Sequence, residues 1–148
     1  MGKPIKMILY AVLGVLACSC STIDEQKEEP QTLLSDISGV WLEYAYLCED
    51  GYFVDISDTG FNEYYEFARP NIFTKYTIYN NGDKYIDTQG EWTYNPETRI
   101  AHIEEPNGWN LDITFTFIDD ESGTYAATMD IKGRTGISSS TIKARKIQ

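Results

Sequence analysis

Few side chains in this sequence are of the types that do chemistry, and their spacing limits what they can do. His102 is the only histidine, and the cysteines are Cys18, Cys20 and Cys48. A multi-histidine metal site therefore has no second imidazole to draw on, and no serine or cysteine is marked as a nucleophile by a neighbouring base. Carboxylates are abundant, yet a glycosidase needs two of them converging across a cleft, and linear spacing gives no sign of such a pair. One stretch, DISDTGFNEYYE from Asp55 to Glu66, places acid, glycine and acid at the first, sixth and twelfth positions of a calcium loop. Ser57 and Thr59 stand where such a loop has carboxylates or amides, and the stretch ends in a β-like run rather than a helix. It reads as a solvated acidic loop. The expectation is a binding protein rather than an enzyme, with no metal and no cofactor.

Cys18 and Cys20 carry the clearest chemical signal. Lys3 and Lys6 precede the apolar run MILYAVLGVLA, Met7 to Ala17, the basic-then-apolar order of a secretory signal. Cys18-Ser19 and then Thr22 interrupt that run well before the roughly 20 apolar residues that a spanning helix needs. Small residues in front of a cysteine resemble the lipobox of bacterial lipoproteins, in which the cysteine receives diacylglycerol and becomes the first residue of the mature chain. Val15, Leu16 and Ala17 precede Cys18, with an aliphatic residue three positions before the cut and a small one beside it, as that motif asks. Cys20, preceded by Ala17, Cys18 and Ser19, is the alternative. It lies nearer the acidic tract IDEQKEE (Ile23 to Glu29), which resembles the surface-export signal of Bacteroidota lipoproteins. The resemblance implies a leader over residues 1–17 and an outer-membrane lipoprotein on the periplasmic or cell-surface face. Two or three acyl chains, at about 0.8 kcal/mol per buried methylene, make such an anchor effectively permanent.

Charge and length bound the rest. The chain has 148 residues, with 23 acidic side chains against 12 basic ones, and loss of the leader would also remove Lys3 and Lys6. Nucleic acid is disfavoured as a partner, because that affinity comes largely from Lys and Arg neutralising phosphates. The negative charge mainly keeps a surface domain soluble, and a monomer is expected. Residues 18–32 are polar, acidic and broken by Pro30, the composition of a tether. Residues 33–148 are enough for one domain with a real core.

Within that domain helical periodicity is nearly absent. Short β-branched and aromatic runs alternate with Gly, Pro, Asn and Asp clusters, the pattern of an all-β sandwich or barrel. Eight strands are expected, near Gly39 to Leu47, Asn62 to Phe67, Ile72 to Tyr79, Lys84 to Tyr94, Arg99 to Glu104, Trp109 to Ile118, Gly123 to Ile131 and Ile137 to Lys146. Connectors such as NNGD (Asn80 to Asp83) and EPNG (Glu105 to Gly108) are of hairpin length, which makes consecutive strands antiparallel neighbours. Only Cys48 to Phe61 is long enough for a lid or binding loop. Trp109, Leu111, Ile113, Phe115 and Phe117 alternate with Asn110, Asp112, Thr114 and Thr116, giving one buried and one wet face. The fold expected is an all-β, eight-stranded antiparallel up-and-down barrel, whose interior holds side chains or one small ligand.

On these residues a second resemblance rests. GVWLEYA, Gly39 to Ala45, resembles the first-strand motif of lipocalins, Gly-x-Trp followed by x-Glu-x-Ala, and LLSDI (Leu33 to Ile37) fits the short turn beneath such a barrel. The layout resembles the lipocalin-like domain lipoproteins of Bacteroidota. The resemblance implies that Gly39 and Trp41 are structural, that Trp41 plugs the closed end, and that a last-strand cation, Arg145 or Lys146, lies over its ring. The lipocalin Thr-Asp-x-Tyr motif is missing; IDDESGTY (Ile118 to Tyr125) takes its place.

With the first strand running from closed end to mouth, the long loop and the start of the sixth expected strand fall at the opening. Leu47, Tyr52, Phe53, Phe61, Ile78, Trp109, Leu111 and Met129 are the expected ligand-binding residues. Aromatic side chains at a cavity mouth suit an amphiphile or a sugar ring. The function expected is binding of a small apolar or amphipathic ligand; the alternative is an adhesion or accessory module with a filled barrel, contacting glycan or protein through its loops.

Overall fold

The computed structural model describes residues 36–119, 125–134 and 139–148; the expected leader and tether, with Cys18 and Cys20, lie outside them. Nine strands are present: β1 (Gly39–Leu47), β2 (Phe53–Asp55), β3 (Phe61–Ala68), β4 (Ile72–Tyr79), β5 (Lys84–Asn95), β6 (Ile100–Glu104), β7 (Asn110–Asp119), β8 (Tyr125–Gly133) and β9 (Ser139–Lys146). All sequential pairings from β3 onward are antiparallel, and β1 pairs with both β3 and β9. The sheet thus closes into an eight-stranded antiparallel up-and-down barrel, as the spacing of strand and turn signals predicts. Closure pairs β1 with β9 and so removes the two long edges an open sheet would leave, which are templates for edge-to-edge association.

The ninth strand is the departure. β2 comes from the long connector and pairs with Ala45, Tyr46 and Leu47, on the edge of β1 that β3 has left after Leu42↔Tyr64. Ile56 anchors this flap: it is buried, and its amide donates to the Tyr44 carbonyl at 3.1 Å. The connector therefore satisfies backbone groups that the divergence of β1 and β3 would leave open.

Binary patterning decides which side of each strand faces in. Leu111, Ile113, Phe115 and Phe117 of β7 are buried or half-buried, and Ile113 and Phe115 belong to a core with Phe67, Phe73, Ala101, Ile103, Met129 and Ile142. Trp41 is fully buried at the closed end with Ile37 beneath it, and its indole Nε1 donates to the Ile37 carbonyl at 3.0 Å. Its ring lies 5.7 Å from Phe115 and 6.4 Å from Phe117, while Phe67 packs at 5.1 to 5.8 Å from Phe73, Trp92 and Phe115. This aromatic floor occupies the lower half of the barrel.

Two glycines are required by close approach. At Gly39, with φ of 126°, a Cβ would stand 2.0 Å from the Gln148 carbonyl oxygen; at Gly90 it would stand 2.5 Å from that of Glu104. The first lets the chain's end close over β1, and the second lets β5 and β6 cross tightly beside Ile103.

Candidate functional site

Above the floor the interior changes character. The residue two positions on from Trp41 along β1 is Glu43, 5 % exposed, and strand parity keeps it on the inner face. β3 lies beside it: Trp41 pairs with Tyr65 and Leu42 with Tyr64, and Glu63, two residues before Tyr65, shares that residue's face of β3. β4 then sets Lys75 opposite Tyr65 and Thr77 opposite Glu63. The β4–β5 register shifts between Lys75 and Tyr76, leaving Asp87 as the extra residue of a bulge. Bulges re-aim a side chain, and this one brings Asp87 to Thr77.

The contacts form a chain across four strands. The Tyr65 hydroxyl donates to Glu43 Oε2 at 3.2 Å. Lys75 Nζ donates to Glu63 Oε1 at 3.0 Å and lies 5.5 Å from the centre of the Tyr65 ring. Thr77 Oγ1 donates to Asp87 Oδ2 at 2.9 Å. Burial, and then the neighbouring Glu63 carboxylate, push the Glu43 carboxyl up to about 7. Burial likewise holds the Tyr65 phenol well above its ordinary value, with the Glu43 and Glu63 charges adding to it. The Lys75 and Glu63 side chains remain 29 % and 24 % exposed, although both project from inward positions of their strands. Water therefore reaches the interior at this level.

The opposite wall is apolar, built from Leu111, Ile113, Met129, Ile131 and Ile142. One half of the upper barrel thus offers hydrogen-bond donors and acceptors and the other half offers hydrocarbon. 

The residues expected to bind ligand are dispersed over this frame. Leu111 and Phe61 project inward, Phe61 against Tyr79 at 6.3 Å. Met129 is fully buried within the packed core. Leu47, Tyr52 and Trp109 are exposed at the mouth end, Tyr52 at the β1–β2 turn and Trp109 just before β7. Ile78 pairs with Asn62 and Lys84 on the outer face, and Phe53 lies outside beneath Lys143, whose Nζ is 4.2 Å from its ring. Ile78 and Phe53 therefore do not join the interior set, because strand parity turns the first outward and the β2 flap carries the second to the outer surface.

The cation facing Trp41 is Lys146, its Nζ 6.0 Å from the ring centre; burial lowers its ammonium from the ordinary value. Arg145, the other candidate, points outward over Tyr44 at 5.0 Å. The two alternate across β9, and the register Trp41↔Lys146 gives the inner position to the lysine. His102 is a partly exposed strand residue on the outer face, its Nδ1 2.7 Å from Asp112 Oδ1, which also accepts from Arg134 Nε at 3.0 Å. Asp55 caps its own turn by accepting from the Ser57 amide at 2.7 Å, and Glu66 lies within β3. Among the described residues no group of three His, Cys, Asp or Glu side chains converges as metal ligands would.

Sequence reasoning passed over Glu43, Glu63, Tyr65, Lys75, Thr77 and Asp87. A signal for most of them existed: they stand in the same parity as Trp41, Phe67 and Phe73, so polar residues at inward positions were readable. Asp87 was not, since its direction depends on the bulge. No family model matches the chain, and none of the curated proteins matches it either, so the functional reading stands on this geometry.

Proposed function

We propose that this protein is a lipid-anchored outer-membrane lipoprotein of lipocalin-like type, on the periplasmic or cell-surface face, whose barrel binds a small amphipathic or apolar molecule at its open end without transforming it. The observation that carries the binding reading is the pair Glu63 and Lys75, inward-projecting yet each about a quarter exposed above a floor sealed by Trp41, Phe67 and Phe115. A filled barrel would exclude water from that level. The apolar body of the ligand lies against Leu111, Ile131 and Ile142, where burial stabilises it by about 25 cal/mol per Å², and its polar head meets Lys75 and the carboxyl groups. The anchor rests on the Val15-Leu16-Ala17-Cys18 sequence. Native mass spectrometry of the protein purified from its own cells tests the reading: a co-purifying small molecule, displaced by a hydrophobic competitor, is the expected result. No adduct, together with no uptake of an environment-sensitive fluorophore, overturns it.

A second reading, an adhesion or accessory module acting on a glycan or protein, draws on the mouth end. There Tyr46, Leu47, Tyr52, Tyr79 and Trp109 are all large and exposed. Aromatic faces of this kind stack on sugar rings. Retention on glycan surfaces that is abolished by Tyr52→Ala and Trp109→Ala, with no small-molecule uptake, favours this alternative.

A further inference from the structure

The wall of the barrel does not rise to one height. β5 pairs with β4 from Lys84 to Glu91, but with β6 only from Glu91 to Asn95. β6 ends at Glu104, and the chain then folds back into β7, with the Glu105 amide donating to the Trp109 carbonyl at 3.0 Å. Among the described residues, Lys84 to Gln89 therefore have no strand on their second side. A gap lies between upper β5 and the β6–β7 turn. The Trp92 amide donates toward β4, to the Asn71 carbonyl, and the Asp83 carbonyl accepts from the Tyr79 amide of β4. Alternation along the strand then turns the backbone groups of Lys84, Ile86 and Gln89 away from β4 and into the gap. Exposure follows the gap. Beside it, inward-facing Tyr85 is 62 % exposed and Asp87 is exposed, whereas Ile113, Met129 and Ile142 on the far wall are buried.

We propose that this gap is a head-group site: an amphiphile held in the barrel passes its polar head out between β5 and the β6–β7 turn, and the head that fits is bulky, hydrogen-bonding and either uncharged or cationic. The proposal rests on the reading of the barrel as a ligand container. Size follows from the gap being open to solvent, because a head lying there need not be enclosed. Hydrogen bonding follows from the unfinished ladder. Lys84, Ile86 and Gln89 offer backbone N–H and C=O groups, and an amide or hydroxyl of the head takes the place of the missing strand. Charge follows from the side chains around the opening. Glu63 and Asp87 stand on its inner side; Glu91 and Glu104, directly opposed across β5 and β6, flank its lower end outside. Lys75 is engaged with Glu63 at 3.0 Å, and Lys84 Nζ lies 3.6 Å from the centre of the Tyr76 ring on the outer face. An anionic head therefore meets an excess of carboxylates. Trp109, 47 % exposed at the end of the turn, adds an aromatic face beside the gap.

NMR with two nitroxide probes tests this on the full chain carrying Cys18→Ser and Cys20→Ser, so that no acyl chain of its own competes for the barrel. One probe is stearamide with the nitroxide on its amide nitrogen, a bulky neutral head. The other is stearamide with the nitroxide at the far end of its chain. The head label is expected to broaden the amide signals of Ile86, Asp87 and Gln89 more than those of Tyr46, Leu47 and Tyr52, and the tail label those of Ile113 and Ile131. Thr88→Trp, which fills the gap from within, is expected to weaken the head-labelled probe at least about ten-fold and to spare plain stearamide; should that variant not fold, the broadening pattern alone decides. Stearate, the anionic analogue, is expected to bind at least about five-fold more weakly than stearamide. Head-label broadening at Tyr46, Leu47 and Tyr52 with the gap residues untouched overturns the head-group site and leaves the container standing. Stearate bound as tightly as stearamide overturns the charge preference. If neither probe binds, the container reading falls and the head-group site falls with it.

Discussion

Tyr65 and Glu43 meet inside the barrel, the phenol donating to Glu43 Oε2 at 3.2 Å, one level above the point where Tyr65 pairs with Trp41. This is the seam between the aromatic floor and the polar side chains above it. Tyr65 takes part in both, its ring in the core and its hydroxyl in the acid cluster. Tyr65→Phe keeps the ring and removes the donor. Because that hydrogen bond lowers the Glu43 titration, the variant should titrate Glu43 at higher pH. It should also lose about 1 to 3 kcal/mol of stability for the buried group left without its partner. NMR titration of the Glu43 side-chain carbon and urea unfolding check the two parts.

Stability should depend on pH through the same group, and the sign follows from the direction of its shift. Glu43 binds its proton more tightly folded, at about 7 against an ordinary 4.5, so the folded state holds more protons than the unfolded one between those values. Stability therefore declines as pH rises from about 4.5 and the loss is complete above about 7, on the order of 3 kcal/mol. Glu43→Gln should flatten that slope and unfold at a higher urea concentration than wild type above pH 7. At the acid end the slope reverses. Hydrogen bonds from His102 and Arg134 outweigh burial and hold Asp112 below its ordinary value, and Ser38 and Arg69 do so for Asp36. Their contributions are lost as pH falls through the carboxylate range.

Trp41 is the largest fully buried side chain of the floor. Trp41→Ala should cost about 3 to 5 kcal/mol, since the cavity beneath Phe115 and Phe117 cannot collapse against a closed sheet. Trp41→Phe keeps part of the volume and loses the bond to Ile37, so it should fall between the two. Lys146→Met should cost about 0.5 to 2 kcal/mol, whereas Arg145→Met should leave the Trp41 fluorescence unchanged because Arg145 lies over Tyr44 outside.

Gly90→Ala is a test of packing alone. The added methyl would approach the Glu104 carbonyl oxygen to 2.5 Å, and backbone on both sides must move. The expected cost is about 1 to 3 kcal/mol, measured by thermal unfolding. Gly51→Ala meets nothing within 4 Å but strains a backbone at φ of 85°, so its cost should be about 1 kcal/mol.

The anchor is tested by the mass of the mature N-terminus. A diacyl or triacyl cysteine at Cys18 or Cys20 is expected from cells that process the full chain, with the lipid lost in Cys18→Ser if Cys18 carries it. An unmodified terminus at a later residue overturns the lipoprotein reading.

The strands and their order were legible in the sequence because each is written locally. β1 and β4 span the residues that their β-branched and aromatic runs mark, and the NNGD turn closes as expected, Gly82 at φ of 89° donating to the Tyr79 carbonyl at 2.8 Å. β2 was not legible. Phe53 to Asp55 is too short to carry a period, and it pairs only because β1 and β3 diverge above Leu42, which is a property of the closed sheet.

The same division runs through the site. Sequence alone determined that side chains alternate in and out along each strand, since a pleated backbone admits no other period, and from this the inward apolar set of β7 and its wet outer face follow. Only the tertiary structure decided what faces what. Closure through β1–β9 chose Lys146 over Arg145 for Trp41, the register of β1 on β3 brought Tyr65 to Trp41 and its hydroxyl to Glu43, and a single extra residue in β5 turned Asp87 toward Thr77. Register is fixed by the summed packing of the whole sheet, and no stretch of sequence carries that sum by itself.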